Sequence, residues 1–119
     1  LVKIQSAKEI YVCEAENPSF VGKYVAGTRQ VDGADVYSNE NDMSFFRSNG
    51  FWYLGNLEPW PPETHYRCVE PEGCNFQGDF PPTNAEGKWR GNRKFNSEKP
   101  PVVSAEPCTK ANSALEELQ

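Results

Sequence analysis

The sequence predicts a mostly β protein, a small antiparallel β-sheet or barrel-like domain of hairpins with long Pro-rich loops and extended termini. Three observations lead there. Tyr, Phe, Trp, Val, Gly and Pro are frequent, with 15 aromatic residues against a single Met; the aromatic and β-branched types fit a pleated surface, and Gly and Pro supply defined turns. Asn49-Gly50 separates two aromatic-rich runs, M-S-F-F-R-S and F-W-Y-L-G, which is the pattern of a type I′ hairpin whose two central residues need positive φ. Asp32-Gly33 stands in the same way between T-R-Q-V and A-D-V-Y. At 119 residues the chain has the size of one domain, and its aromatics provide enough burial for one core.

The elements follow in order. Residues 1–9 carry little pattern and are expected to form an extended N-terminal arm; the β domain is expected over 10–108. Ile10 to Cys13 and Phe20 to Val25 read as the first two strands, separated by the turn-rich E-A-E-N-P-S. The Asp32-Gly33 hairpin comes next, then the Asn49-Gly50 hairpin. Counting back from its tip, Ser48 pairs with Phe51, Arg47 with Trp52 and Phe46 with Tyr53. One face then takes Phe46, Tyr53, Ser48 and Phe51, and the other takes Phe45, Arg47, Trp52 and Leu54. Three prolines frame Trp60 in E-P-W-P-P-E-T, removing donors and fixing φ, so an ordered loop outside the sheet is expected. H-Y-R-C-V-E alternates as a strand, and K-W-R-G-N-R-K-F reads as a hairpin turning at Gly91-Asn92. P-P-V-V-S-A fits a last edge strand, where proline is tolerated. Residues 109–119, with A-L-E-E-L, are expected to be a tail or one short helix.

Four cysteines, Cys13, Cys68, Cys74 and Cys108, permit two disulfides in three pairings. A Pro/Gly turn separates Cys68 from Cys74, and Cys13 and Cys108 lie near opposite ends, so those two pairs are favoured; four buried free thiols are the alternative. Disulfides would place the protein in an oxidising compartment: the cell exterior, the secretory lumen or a thylakoid lumen. The spacings lack the paired short motifs of a zinc module. Asn17-Pro18-Ser19 is a sequon spoiled by proline, which disfavours heavy glycosylation. No apolar run approaches the roughly 20 residues of a membrane-spanning helix. The chain begins at Leu1 without an initiator Met or a signal-like segment, as a mature or truncated product would.

Catalytic patterns are sparse. The single histidine, His65, lies three residues from Cys68, and a strand would point the two to opposite faces. Neighbouring carboxylates such as Glu70 and Glu72 or Asp32 and Asp35 fall in turn-like segments with nothing to desolvate one of them. Phosphate-loop, nucleophile-elbow and H-E-x-x-H patterns are missing. A protein without a catalytic site of its own is expected, needing no cofactor and working by binding. Charge is uneven: residues 88–99 carry five basic side chains and one acidic in a chain of net charge −5. Lys88, Arg90, Arg93 and Lys94, with Trp89 between them, are candidate contacts for an acidic protein surface; a nucleic-acid binder would be more basic overall. Cations that merely protect a sheet edge would look the same. Trp52, Trp60 and Trp89 could alternatively line a carbohydrate groove, against which stands the filling of a small core by at least two of them. Trp60, framed by prolines, is the tryptophan least committed to a core and the sixth candidate contact.

The run from G-K-Y-V-A-G through D-G-A-D-V-Y to F-W-Y-L-G resembles a small β module of diatom and dinoflagellate proteins, with a G-x-Y, D-G-x-x-V-Y and W-x-x-G pattern over residues 22–55, extended by W-P-P-E-T-H-Y-R-C. Among these, the chain is similar in size and style to the nuclear-encoded extrinsic subunits of red-lineage photosystem I complexes. The resemblance implies a non-enzymatic subunit of the chloroplast, held at the thylakoid surface against core and antenna proteins. It carries no ligand motif, and a stromal position would conflict with two disulfides. The alternative is a secreted, disulfide-stabilised module binding carbohydrate or protein.

Overall fold

The computed structural model describes residues 8–74 and 80–108. The expected N-terminal arm, apart from Lys8 and Glu9, and the expected tail or helix at 109–119 lie outside the described residues. Eight strands among the described residues form one antiparallel sheet: β1 (Glu9–Glu14), β2 (Gly22–Val31), β3 (Ala34–Ser38), β4 (Ser44–Ser48), β5 (Phe51–Asn56), β6 (Glu63–Glu70), β7 (Lys88–Gly91) and β8 (Val102–Ser104). Their order is β7-β6-β5-β4-β3-β2-β1-β8, and the sheet curls into a half-barrel. Seven strands therefore follow one another as a meander, while β8 returns to pair on β1.

Turn chemistry sets the meander. Asn49 (φ 53°) and Gly50 (φ 83°) both take the left-handed conformation, as do Asp32 (φ 57°) and Gly33 (φ 79°), so each dipeptide reverses the chain in two residues. The β4–β5 register is Ser48↔Phe51, Arg47↔Trp52, Phe46↔Tyr53 and Phe45↔Leu54. Asp32 also ties the two tips together, its carboxylate accepting from the Gly50 N–H (3.1 Å) and its carbonyl from Arg47 (2.7 Å). The start of the second strand differs from expectation. Phe20 closes a 3₁₀ turn, Pro18–Phe20, capped by the Asn17 side chain, and the strand begins at Gly22. Asn17 holds the Ser19 N–H, and that local bond competes with extension.

The core fills the concave side. Ile10, Val12, Tyr24, Tyr37, Phe45, Trp52, Leu54, Tyr66 and Trp89 come from seven strands, and Phe20 enters from the 3₁₀ turn. Edge-to-face ring pairs link them: Tyr24 with Phe45 (4.9 Å) and Phe45 with Trp89 (5.6 Å), a geometry that adds about 0.5–1.5 kcal/mol per pair beyond area burial. Trp52 and Trp89 are both buried. A groove built from Trp52, Trp60 and Trp89 is thereby overturned, and core filling by two of the three is what the fold contains.

A half-barrel leaves a seam between β7 and β8, and residues 80–86 close it. Phe80 meets Tyr37 edge-to-face across the core, Pro81 and Pro82 are fully buried, and the Trp89 indole N–H donates to the Pro82 carbonyl (3.0 Å). Asn84 is bonded to both sides of β8, donating to the Pro101 carbonyl and accepting from the Val103 N–H.

Both favoured disulfides are present. Cys13–Cys108 joins β1 to the residues beyond β8, and Cys68–Cys74 closes the turn after β6, with Cα separations of 5.5 and 5.6 Å. Gly87 lies on the second of these: a Cβ there would stand 2.6 Å from Cys68 Sγ and 2.7 Å from Cys74 Sγ. Such crowding in a packed site costs about 1–3 kcal/mol, so Gly87→Ala is expected to lower the urea unfolding free energy by that amount. Unchanged stability would contradict the close packing of Gly87 on the disulfide.

Glu16 staples the β1–β2 connection to the segment entering β8, accepting from the Lys99 N–H (2.9 Å) and the Glu98 N–H (2.8 Å). These bonds, Lys99 first, hold its carboxyl below the ordinary glutamate value. A lowered folded-state pKa means a contribution complete above the unfolded range and lost as pH falls through the folded value. The stability gap between wild type and Glu16→Ala is therefore expected to be widest at neutral pH and to narrow below about pH 4, as read from urea midpoints at pH 7 and pH 3.

Candidate functional site

The strands alternate in direction, so the β1–β2 connection, the β3–β4 connection, the β5–β6 loop and the segment after β7 all leave from one end of the sheet. Hydrogen bonds confirm the grouping: Asn39 and Asn41 donate to the Ser19 carbonyl, and Asn92 donates to the Thr64 carbonyl. This end carries Trp60. Its side chain is 89% exposed, and Val21, at 41%, is the other exposed large hydrophobic among the described residues. The preceding and following prolines hold the loop outside the sheet, as expected from the sequence.

The same end is built around a bulge in β6. Leu54 pairs with Tyr66 while Gly55, the next residue, pairs with Thr64, so His65 is the extra residue and both His65 and Tyr66 are buried. Gly55 permits this, because a Cβ there would stand 1.9 Å from the Glu63 carbonyl oxygen. His65 stacks on Phe95 (4.9 Å), tilts against Phe20 (4.8 Å), and approaches Ser97 Oγ (3.2 Å) and Glu63 (3.4 Å) with its two ring nitrogens. The imidazole thus locks the turn after β7 onto the sheet. Cys68, the only cysteine near it in sequence, is held in a disulfide and offers no thiolate.

The expected basic hairpin takes a different form. Lys88–Gly91 is a strand on β6, and the chain turns through a 3₁₀ turn, Arg93–Phe95, closed by the Asn92↔Ser97 bridge. The turn falls there because Asn92 caps it, accepting from the Lys94 N–H, and Asn96 adopts φ 56°; Gly91-Asn92 is not a hairpin tip. Within this segment five of the six expected contacts, all but Trp60, separate into three places. Trp89 points into the core and is withdrawn from any surface. Lys88 and Arg90 are exposed on the convex face of β7. Arg93 and Lys94 are exposed on the 3₁₀ turn, at the end of the sheet that bears Trp60. Arg93 already has an acid beside it, Glu98 at 3.5 Å, and Lys94 lies 5.7 Å from the Phe95 ring.

One cationic residue was missed from the sequence. Arg67 stands on the convex face of β6, exposed, directly opposite Arg90, in the cross-strand row Phe46, Tyr53, Arg67, Arg90. Alternation in H-Y-R-C-V-E places Arg67 opposite Tyr66 in facing, but its partner strand lies beyond a connection of 17 residues, and no local signal spans that distance. Among the described residues no group of three or more His, Cys, Asp or Glu side chains could hold a metal ion, and no helix is long and apolar enough to cross a membrane.

No protein-family model, curated protein or solved structure matches the chain. The surface offers an exposed indole at Trp60, a cationic turn at the same end of the sheet, and an opposed arginine pair on the convex face.

Proposed function

We propose that the protein is a non-catalytic, extrinsic subunit that docks on a larger protein complex, with Trp60 as the central contact. The observation that carries this reading is the 89% exposure of Trp60 in a protein that buries its other two tryptophans. An indole left in water forgoes roughly 1.5–3 kcal/mol of burial or more, and tryptophan is the residue type most enriched at energetic centres of interfaces. The flanking prolines restrict the loop before binding, which lowers the ordering cost of association. Arg93 and Lys94 on the neighbouring turn form a cationic rim suited to an acidic partner surface.

The resemblance of residues 22–55 to the algal module supports one particular complex, a photosystem I–antenna assembly, with the protein peripheral to the membrane through its partner. The two disulfides support an oxidising location, which on a thylakoid is the lumenal side. Native purification tests the proposal: the protein is expected to migrate with a membrane complex on sucrose gradients and native gels. Migration alone at every salt concentration would overturn it.

Sugar recognition is the second reading, favoured by the same exposed indole. The two are separated by charge. Docking through the cationic rim weakens at high salt, because exposed charges are screened beyond about 10 Å at 0.1 M, and it is lost on reversing Arg93 and Lys94 to Glu. Stacking of a sugar on Trp60 responds to neither.

A further inference from the structure

Arg67 and Arg90 form a directly opposed cross-strand pair on the convex face of the sheet. Side chains so placed have Cβ atoms about 4.5–5.5 Å apart, and like charges there are destabilising. The neighbouring register position shows the usual solution, Glu70 opposite Lys88. Neither Arg67 nor Arg90 has a carboxylate within ion-pair distance among the described residues, where Lys8, Lys23, Arg47 and Arg93 each have one. In a chain carrying 17 acidic against 12 basic side chains, an uncompensated arginine pair is a cost that the free domain does not recover.

The pair borders a cleft. Tyr53, Thr64, Arg67, Arg90, Gly91 and Asn92 line a concavity of about 370 Å³ on this face. The Phe51 ring lies 5.6 Å from the Arg67 guanidinium, and such a contact holds a cation over an aromatic face. Tyr53 is stacked on Phe46 at 5.5 Å, so the floor of the cleft is braced from the sheet. Asn92 is anchored through its side-chain donor to the Thr64 carbonyl, which fixes the far wall. Each of the two arginines lining the cleft carries a planar fork of N–H donors, the group that binds a carboxylate bidentately.

We propose that this cleft is a carboxylate-binding site that receives an aspartate or glutamate side chain from an acidic segment of the docking partner. The proposal rests on the docking reading for its natural occupant, but the site itself can be tested without the complex. Charge complementarity selects the occupant: two unpaired cations ask for an anion, while the acidic remainder of the surface repels an extended polyanion such as nucleic acid. The aromatic side chains beside the arginines suit the aliphatic stem of an acidic side chain and the peptide backbone that carries it.

The test is a titration of the ¹⁵N-labelled protein with the blocked peptide acetyl-Glu-Glu-Glu-Glu-amide, at constant ionic strength, following arginine Nε–H and backbone amide resonances. Saturable shifts are expected at Arg67, Arg90, Tyr53 and Gly91, with Arg29 unmoved. Arg67→Gln and Arg90→Gln each abolish saturation and raise the urea midpoint of the free protein, since each removes the like-charge opposition. Arg67→Lys keeps the charge and weakens binding severalfold by losing the bidentate geometry. An equal shift at Arg29, or no saturable shift, would overturn the site. Tighter binding of inorganic phosphate than of the peptide would overturn the carboxylate and assign a phosphate site instead. Saturation in this titration with no co-migrating complex in native extracts would leave the cleft standing and remove the docking reading.

Discussion

Replacing both Cys13 and Cys108 by serine is expected to lower the unfolding free energy by about 2–5 kcal/mol, against a smaller loss for the Cys68, Cys74 double replacement. The two bonds differ in what they restrain. Cys13–Cys108 spans 95 residues and Cys68–Cys74 only six, and the loop-entropy relation assigns closures of these lengths about 4.7 and about 2.4 kcal/mol. The long bond also protects a weak element. β8 has three residues and pairs on one neighbour, β1, and Pro100 and Pro101 before it donate no backbone hydrogen bond. Without the disulfide, β8 is held by the Asn84 side chain, by the Glu16 bonds to the segment before it and by its share of the β1 ladder. Hydrogen exchange should therefore show lost protection first at Val103 and Tyr11, with the β4–β5 hairpin protected until global unfolding. An equal or greater loss from opening Cys68–Cys74 would contradict this account.

Trp60→Ala is expected to weaken docking by about 2 kcal/mol or more, roughly 30-fold in Kd, while changing stability by no more than about 0.5 kcal/mol. The separation follows from position: an indole 89% exposed contributes almost nothing to the folded core, so under the docking proposal its loss is felt in binding and not in the fold. Rebinding of the labelled variant to a complex stripped of the native subunit measures the first quantity, and urea unfolding measures the second. A variant that loses several kcal/mol of stability would place Trp60 among the structural residues, and one that rebinds at wild-type affinity would remove it from the interface.

The sequence was most legible where one short motif decides the geometry. Asn49-Gly50 and Asp32-Gly33 demand positive φ at adjacent positions, so both hairpins and the β4–β5 register could be read directly. The disulfide pairs followed from a six-residue turn in one case and from the two ends of the domain in the other. Trp60 stood out because prolines forbid its segment a place in a sheet. Legibility failed where the answer depends on chain from elsewhere. K-W-R-G-N-R-K-F shows aromatic and basic residues interleaved, and nothing local says that the Pro82 carbonyl waits for the Trp89 indole or that Asn92 caps a 3₁₀ turn. His65 appeared as an isolated histidine on an alternating strand; its bulge depends on a glycine in the preceding strand, ten residues back. The opposition of Arg67 and Arg90 requires the β6–β7 register, itself shifted by a bulge between Cys68 and Glu70.

The fold thus delivers a frame that buries two of its three tryptophans and leaves Trp60 exposed. In the docking proposal a partner covers Trp60 and presents carboxylates to Arg67 and Arg90 on the convex face, while Arg93 on the turn is already paired with Glu98.

Hydroxyl-radical footprinting of the native complex against the free protein tests that claim most directly, because the three tryptophans are read separately and two of them serve as internal standards. In the free protein Trp60 is expected to be oxidised far faster than Trp52 and Trp89, which are 0% and 3% exposed. In the complex its rate is expected to fall to theirs. Oxidation of Trp60 at the same rate in both states would contradict the account.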